Sequence, residues 1–358
     1  MPNGSLPPEL LARFREGLAI PAMPLALTAD RTLDQRRQRA VIRYYIDSGA
    51  GGIAVGVHST QFEIRLPQHG LFEPVLQLAS KTIDSWPPRQ GRPVLKIAGV
   101  AGPTSQAVRE AEFADGTGYH AALVSLVALG DASDDELLEH CRKVARVMPV
   151  IGFYLQSAVG GRPLSRAFWR NFCGIENVIG IKIAPFNRYQ TLDVVRAVCE
   201  AGREREIALY TGNDDNIVVD LLTEFRITDL SPTRSVRIVG GLLGQWGVWT
   251  STAVALLKRI HQITASGNPI PSDLLSEAIA FTDANAAIFD ASNRFRGVIP
   301  GVHEILRRQG LLAGIWCLDP ALGLSNGQRE EIDRVCSAYP HLTDDRFVRE
   351  NLSRWLED

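Results

Sequence analysis

Lys182 and Tyr154 set the chemical question. Lys182 lies late in an apolar run, 178–183, and Tyr154 stands near the end of another, 28 residues earlier. The chain has only five lysines among 38 basic residues, so a mere surface cation is written as arginine. A lysine inside an apolar run therefore asks for a chemical reason. An amine with the ordinary lysine pKa of about 10.4 is neutral only about once in a few thousand molecules at pH 7. Apolar walls disfavour the charged form, bring the pKa towards roughly 7–8, and leave a nucleophile for carbonyl carbon. A phenol beside such an amine is a competent proton relay. The plainer readings are an ion-paired lysine at a strand end and a tyrosine that only packs. Lys96, flanked by Leu95 and Ile97, competes. It stands earlier in its run, nearer the opposite end, where a buried ion pair or a snorkelling stem is expected.

Eight short, β-branched runs supply the elements that would position these groups: 20–27, 52–57, 94–100, 121–125, 150–155, 178–183, 207–210 and 236–241. They begin roughly 30 residues apart, and helical patterns lie between them at 33–47, 104–116, 133–147 and 189–201, with another at 252–265 after the last run. That is the length of one βα unit, and near-continuous apolar strands suit a parallel sheet buried on both faces. The expected class is α/β, a (β/α)8 TIM barrel, with a doubly wound open sheet as its rival. In a barrel, Tyr154 and Lys182 would occupy adjacent strands at one rim. The segment GNPIPSD near residue 267 then breaks the pattern, and helical stretches without strands follow. The expected division is a leader at 1–19 with one helix at 8–16, a catalytic barrel at 20–266, and a C-terminal helical region at 267–358.

Composition narrows the function classes. Of 358 residues, 45% are hydrophobic and 22% charged, enough for a large core, and the net charge of -2 argues against nucleic acid or an anionic membrane surface. No run of eighteen apolar residues offers a membrane span, and the N-terminus lacks a signal-peptide layout, so a cytoplasmic enzyme is expected. Five dispersed cysteines read as reduced thiols, and seven histidines without an HExxH pattern predict no metal site.

The run ending at Tyr154, the segment VIGIK at 178–182 and the entry TGNDD at 211–215 resemble the dihydrodipicolinate synthase/N-acetylneuraminate lyase family. So do GAGGIAVG at 49–56, GLL at 310–312 and QREE at 328–331; the likeness covers roughly residues 18 to 340. It implies a class I, Schiff-base lyase in a (β/α)8 barrel, a homo-oligomer (tetramer or dimer) without cofactor or metal. The substrates it implies are pyruvate or a related 2-oxo acid and an aldehyde. Lys182 would attack the keto carbon, giving a carbinolamine and then an imine that acts as an electron sink. Tyr154 would shuttle the protons.

The departures from that family are informative. Its Gly-Thr-Thr-Gly-Glu type loop is replaced by GVHSTQFE at 56–63, where Ser59 and Thr60 are candidates for holding a substrate carboxylate. His58 adds either a hydrogen-bonding acid/base group or only a cap. Arg162 is a carboxylate clamp or a surface arginine. Gly212 and Asn213 would line the mouth with backbone groups, while Asp214 and Asp215 would cap the next helix. Trp246 and Trp249 either wall the site or pack on the C-terminal helices. The loop at 125–130 lacks the aromatic pair of the synthase. These changes point away from dihydrodipicolinate synthase itself, towards another aldehyde or a sugar-acid partner. A sugar-acid dehydratase or hydratase-aldolase would use the same imine. A catalytically degenerate barrel that only binds a 2-oxo acid is the alternative of another class.

Overall fold

The computed structural model describes residues 6–88 and 91–357. The first five residues of the expected leader and the last residue of the chain lie outside the described residues. Along the chain run α1 (Pro8–Glu16), β1 (Ala19–Pro21), α2 (Gln35–Asp47), β2 (Gly52–Val55), α3 (Phe72–Ser85), β3 (Leu95–Val100) and α4 (Thr104–Gly116). Next come β4 (Ala121–Val124), α5 (Asp134–Ala145), β5 (Val150–Leu155), α6 (Arg166–Cys173), β6 (Val178–Ala184) and α7 (Arg188–Glu200). The remainder is β7 (Ala208–Thr211), α8 (Ile217–Leu222), β8 (Glu224–Ile227), β9 (Arg234–Leu243) and α9 (Thr250–Ser266). Four helices close the chain: α10 (Ser272–Ile288), α11 (Val298–Arg308), α12 (Gln328–Ala338) and α13 (Asp345–Trp355).

Eight parallel strands alternate with helices, so the α/β class and the (β/α)8 barrel order are as expected. Every expected strand is present. The first is shorter than its apolar run, because Pro21 and Pro24 remove ladder donors. One strand was not expected: β8, whose sequence EFRI is short and half charged, pairs antiparallel with β9. Caps mark several helix starts. Ser133 and Glu136 form a reciprocal capping box at α5, Ser165 caps α6, and Asn187 caps α7 through the amides of Tyr189 and Gln190.

Chain contacts define two compact units, Met1–Leu18 with Leu95–Leu242, and Ala19–Val94 with Leu243–Asp358. In the second unit β1 and β2 run parallel, bridged at Ala22 and Ala54, and the last four helices belong to the same unit. In the first, six parallel strands lie in the order β9-β7-β6-β5-β4-β3. Glycines on the inner face of this sheet make room for α1. A Cβ at Gly180 would meet the Phe14 ring at 2.8 Å, and one at Gly240 would meet the Leu18 backbone at 2.5 Å. Phe14 stacks on Tyr210 at 4.6 Å, and the Tyr210 hydroxyl donates to the Phe14 carbonyl at 2.7 Å. The leader helix is thus the floor beneath the inner face, and both rings are wholly buried.

Among the described residues, no helix is long and apolar enough to cross a membrane, and no group of three His, Cys, Asp or Glu could hold a metal ion. The Phe14→Ala substitution is expected to cost about 3 kcal/mol, as for a fully buried ring. Urea unfolding, read as a fall in midpoint at unchanged slope, measures it; a change within error would show that α1 does not hold the floor.

Candidate functional site

The site grows from the pairing of β5, β6 and β7. Lys182 is opposite Phe153 on β5 and Tyr210 on β7, and partners in a sheet project to the same face. Gly180, Lys182 and Ala184 therefore share the inner face, above the Phe14–Tyr210 floor. Lys182 is 7% exposed. Its Nζ stands 4.4 Å from the centre of the Phe153 ring, a cation–π contact. Burial lowers its pKa to about 8, against the opposing pull of the Asp214 carboxylate. Among the described residues no carboxylate lies within ion-pair distance of this amine. At pH 7 about a tenth of the molecules then carry a neutral amine, roughly two hundredfold more than an ordinary lysine would supply.

Gly212 leaves the lysine its space. A Cβ there would fall 2.7 Å from Lys182 Cε and from Ala184 Cβ, so the close approach of β7 to the amine's stem demands glycine. Asn213 fixes the same loop. Its Oδ1 accepts from the Phe186 amide at 3.0 Å, and its Nδ2 donates to Thr191 Oγ1 at 3.1 Å and to Asp220 Oδ2 at 3.0 Å. Asp220, fully buried, also accepts from Thr211 Oγ1 at 2.7 Å and pairs with Arg188. Burial raises its pKa, and the bonds from Arg188, Thr211 and Asn213 counter that rise. Phe186, the second residue after β6, takes a left-handed φ of 52° under this restraint. Asn213 thus acts through its side chain as a strut, where backbone lining was expected. The cap position of α8 is Asn216, which makes no side-chain cap bond and instead donates from Nδ2 to Asp220 Oδ1 at 3.1 Å.

Tyr154 stands elsewhere. It follows Phe153, so it projects from the other face of β5, packs on Trp169 of α6 with ring centres 5.2 Å apart, and is 1% exposed. Its hydroxyl donates to the Leu164 carbonyl at 3.2 Å and accepts from the Leu164 amide at 3.0 Å. Burial raises its pKa, so the phenol stays protonated. The expected juxtaposition of phenol and amine is therefore corrected: the alternation of side chains along β5 places Phe153, which has no hydroxyl, beside Lys182. A spacing of 28 residues predicts Tyr154 opposite Lys182; the register shift between Val150 and Ile151 makes the offset 29 and brings Phe153 there instead.

Arg162 is also committed. Its Nη1 donates to the carbonyls of Leu129, Gly130 and Ala132, at 3.3, 2.8 and 2.6 Å, and so ties down the loop after β4. This corrects the carboxylate-clamp reading for that nitrogen. A cavity of about 60 Å³, lined by Leu126, Phe153, Leu155, Arg162 and Leu164 among others, lies between these loops. Phe153 thus joins the cavity wall to the lysine.

The loop candidates belong to the second unit. Thr60 Oγ1 donates to the Met23 carbonyl at 2.7 Å and accepts from the Gly56 amide at 3.0 Å, so its hydroxyl is spent on the turn. His58 and Ser59 are half-buried, and the His58 ring packs edge-on to Phe62. Trp246 and Trp249 are buried in the same unit as the C-terminal helices. In the first unit, Lys96 is buried, its Nζ 3.3 Å from where a Gly118 Cβ would stand, before β4 begins. That is the opposite end of the strands from Lys182, as its earlier position in its run predicted.

Sequence reasoning missed Phe153, Asp220, Arg188 and the α1 floor. Only the small residues at 180, 184, 212 and 240 signal such close packing in the chain itself. No family model and no curated protein matches the chain. Solved structures do match in fold. An N-acetylneuraminate lyase from Fusobacterium nucleatum complexed with pyruvate shares 16% identity, with 90% of this chain and 97% of that one covered and a TM-score of 0.69. A dihydrodipicolinate synthase from Oceanobacillus iheyensis shares 15%, with 92% and 99% covered at 0.68. A prophage protein of the dihydrodipicolinic acid synthase family from E. coli K12, in complex with pyruvate, shares 17%, with 90% and 97% covered at 0.68. The chain therefore has the fold of these lyases and synthases.

Two outcomes are expected here. Because the Lys182 amine titrates at about 8 folded and about 10.4 unfolded, its burial costs stability below pH 8, less between those values, and nothing above them. Lys182→Met is thus expected to gain roughly 1–3 kcal/mol at pH 7 in urea unfolding, the gain shrinking by pH 10; an equal gain at both pH values would refute the buried charge. Tyr154→Phe should lose about 1–2 kcal/mol, since it strands the Leu164 amide and carbonyl. A variant as stable as the parent would mean that the hydroxyl is not engaged there.

Proposed function

We propose that the chain is a class I lyase in which Lys182 captures a 2-oxo acid as an imine and a carbon–carbon bond is made or broken beside it. The observation that carries this reading is a buried amine, unpaired among the described residues and titrating at about 8, late in a strand of a (β/α)8 fold. The neutral amine adds to the keto carbon. Loss of water from the carbinolamine leaves a protonated imine, which draws electrons from the adjacent bond so that an enamine forms. Pyruvate in two of the matched structures supports the substrate class. With Phe153 in place of a phenol, the protons of the dehydration step pass through water or the substrate's own groups. A homo-oligomer belongs to the same reading.

A second reading has its own support. Tyr154 and one Arg162 nitrogen are engaged with backbone, so a protein that binds a 2-oxo acid without turning it over would keep the imine and lose the aldol step. Borohydride added with pyruvate, followed by peptide mass mapping, tests the first step. A substrate-dependent adduct on Lys182, absent in Lys182→Met and formed faster as pH rises through about 8, is the expected result. No adduct across a panel of 2-oxo acids would overturn the proposal. An adduct without turnover on any aldehyde would select the binding protein.

A further inference from the structure

A second cavity, of about 590 Å³, lies wholly among the C-terminal helices, within the size range of small-molecule sites. One wall is the segment before α11, with Ser292, Asn293, Arg294 and Arg296; the other, before α12, includes Ser325 and Asn326. The first wall is strained. Asp290, Arg294 and Phe295 take φ of 58°, 56° and 64°, the left-handed region that side chains with a Cβ seldom adopt.

Two buried side chains hold that shape. Asp290 accepts from Asn293 Nδ2 at 2.7 Å, from the Gly297 amide at 2.9 Å and from Ser325 Oγ at 2.6 Å, so one carboxylate pins both walls. Gln328 donates to the Ile288 and Gly297 carbonyls at 3.1 and 3.0 Å and accepts from the Ser325 amide at 3.0 Å. The bonds turn Asp290 away from the cavity and leave the guanidinium groups of Arg294 and Arg296 at its edge. Both arginines are exposed, and among the described residues neither side chain has a hydrogen-bond or ion-pair partner. Their neighbours differ. Arg307, Arg308 and Arg329 converge on Glu304, and Arg334 pairs with Asp283 and Glu331. The N-termini of α11 and α12 adjoin the two walls, each behind a glycine that supplies no side-chain cap; α12 carries Glu330 and Glu331 in its first turn, and α11 carries no acid there.

We propose that this cavity binds a small, multiply charged oxyanion, a phosphate or polycarboxylate compound, through bidentate contacts from Arg294 and Arg296. The strain is then the conformational cost of aiming two guanidinium groups at one ligand, independent of the imine chemistry at Lys182. Isothermal titration calorimetry with inorganic phosphate, pyrophosphate and citrate tests it, using the parent protein, Lys182→Met, Arg294→Gln/Arg296→Gln and Arg294→Lys/Arg296→Lys. At least one anion is expected to bind the parent and Lys182→Met alike, with an affinity that falls as salt rises. The glutamine pair should weaken it by at least about tenfold and the lysine pair by less, as loss of bidentate geometry alone predicts. Both pairs should keep the parent's unliganded Tm, because these side chains support nothing. The proposal falls if none of the three anions binds, if Lys182→Met abolishes binding, or if the glutamine pair binds as tightly as the parent. It falls equally if that pair changes the association state in sedimentation while binding is unchanged, for the face would then be a contact between copies.

Discussion

An ammonium group taken out of water loses solvation that a carboxylate, a ring face or a shift of its own titration must replace. At Lys182 the protein uses the last two. The Phe153 ring offers a weak electrostatic partner, and the cost that remains, against the opposing pull of the Asp214 charge, appears as a lowered pKa. A full salt bridge would have restored the charge and removed the neutral amine. The rest of the first unit follows from keeping that amine dry and incompletely paired.

The supports are arranged in layers. Beneath the amine, Phe14 and Tyr210 close the inner face, admitted by glycines at 180 and 240 that let a helix approach the strands. Beside it, Gly212 yields volume to the lysine stem. Behind the next strand, the buried Asp220 collects Thr211 and Asn213, with the half-exposed Arg188 at its edge, into one network that fixes the loops after β6 and β7. Such a network is specific because each member would be costly to leave unsatisfied. Tyr154 and Arg162 serve in the same way, as braces on backbone groups of the neighbouring loops.

The proposed chemistry inherits a constraint from this arrangement. An imine needs a neutral amine and a route for one water and several protons. The fold supplies the first; on the strand beside it stands a phenylalanine. Either water carries the protons or the imine is where the reaction ends. The two outcomes differ in turnover and not in adduct formation, which is why the adduct and the aldol step are separate questions for this protein.

How much of this was legible in the chain differs by element. The strands were, because runs such as 150–155 and 178–183 are apolar enough to be buried on both faces, and so were helices with a strong local cap, such as α5 behind Ser133. The strand β8 was not, since EFRI carries neither length nor clear alternation and pairs only because a neighbour is available. Lys182 announced itself by being a lysine where this chain otherwise writes arginine. The partner it would meet could not be read, because a shift of one residue in strand register exchanges Phe153 for Tyr154, and sequence spacing does not record register. The residue types and their periods alone determined the fold class and marked Lys182 as a lysine inside a buried strand. Which groups surround that amine, and which hydroxyls and guanidinium groups are already spent on backbone, was decided by packing between segments far apart in the chain, where burial and hydrogen-bond satisfaction are settled together.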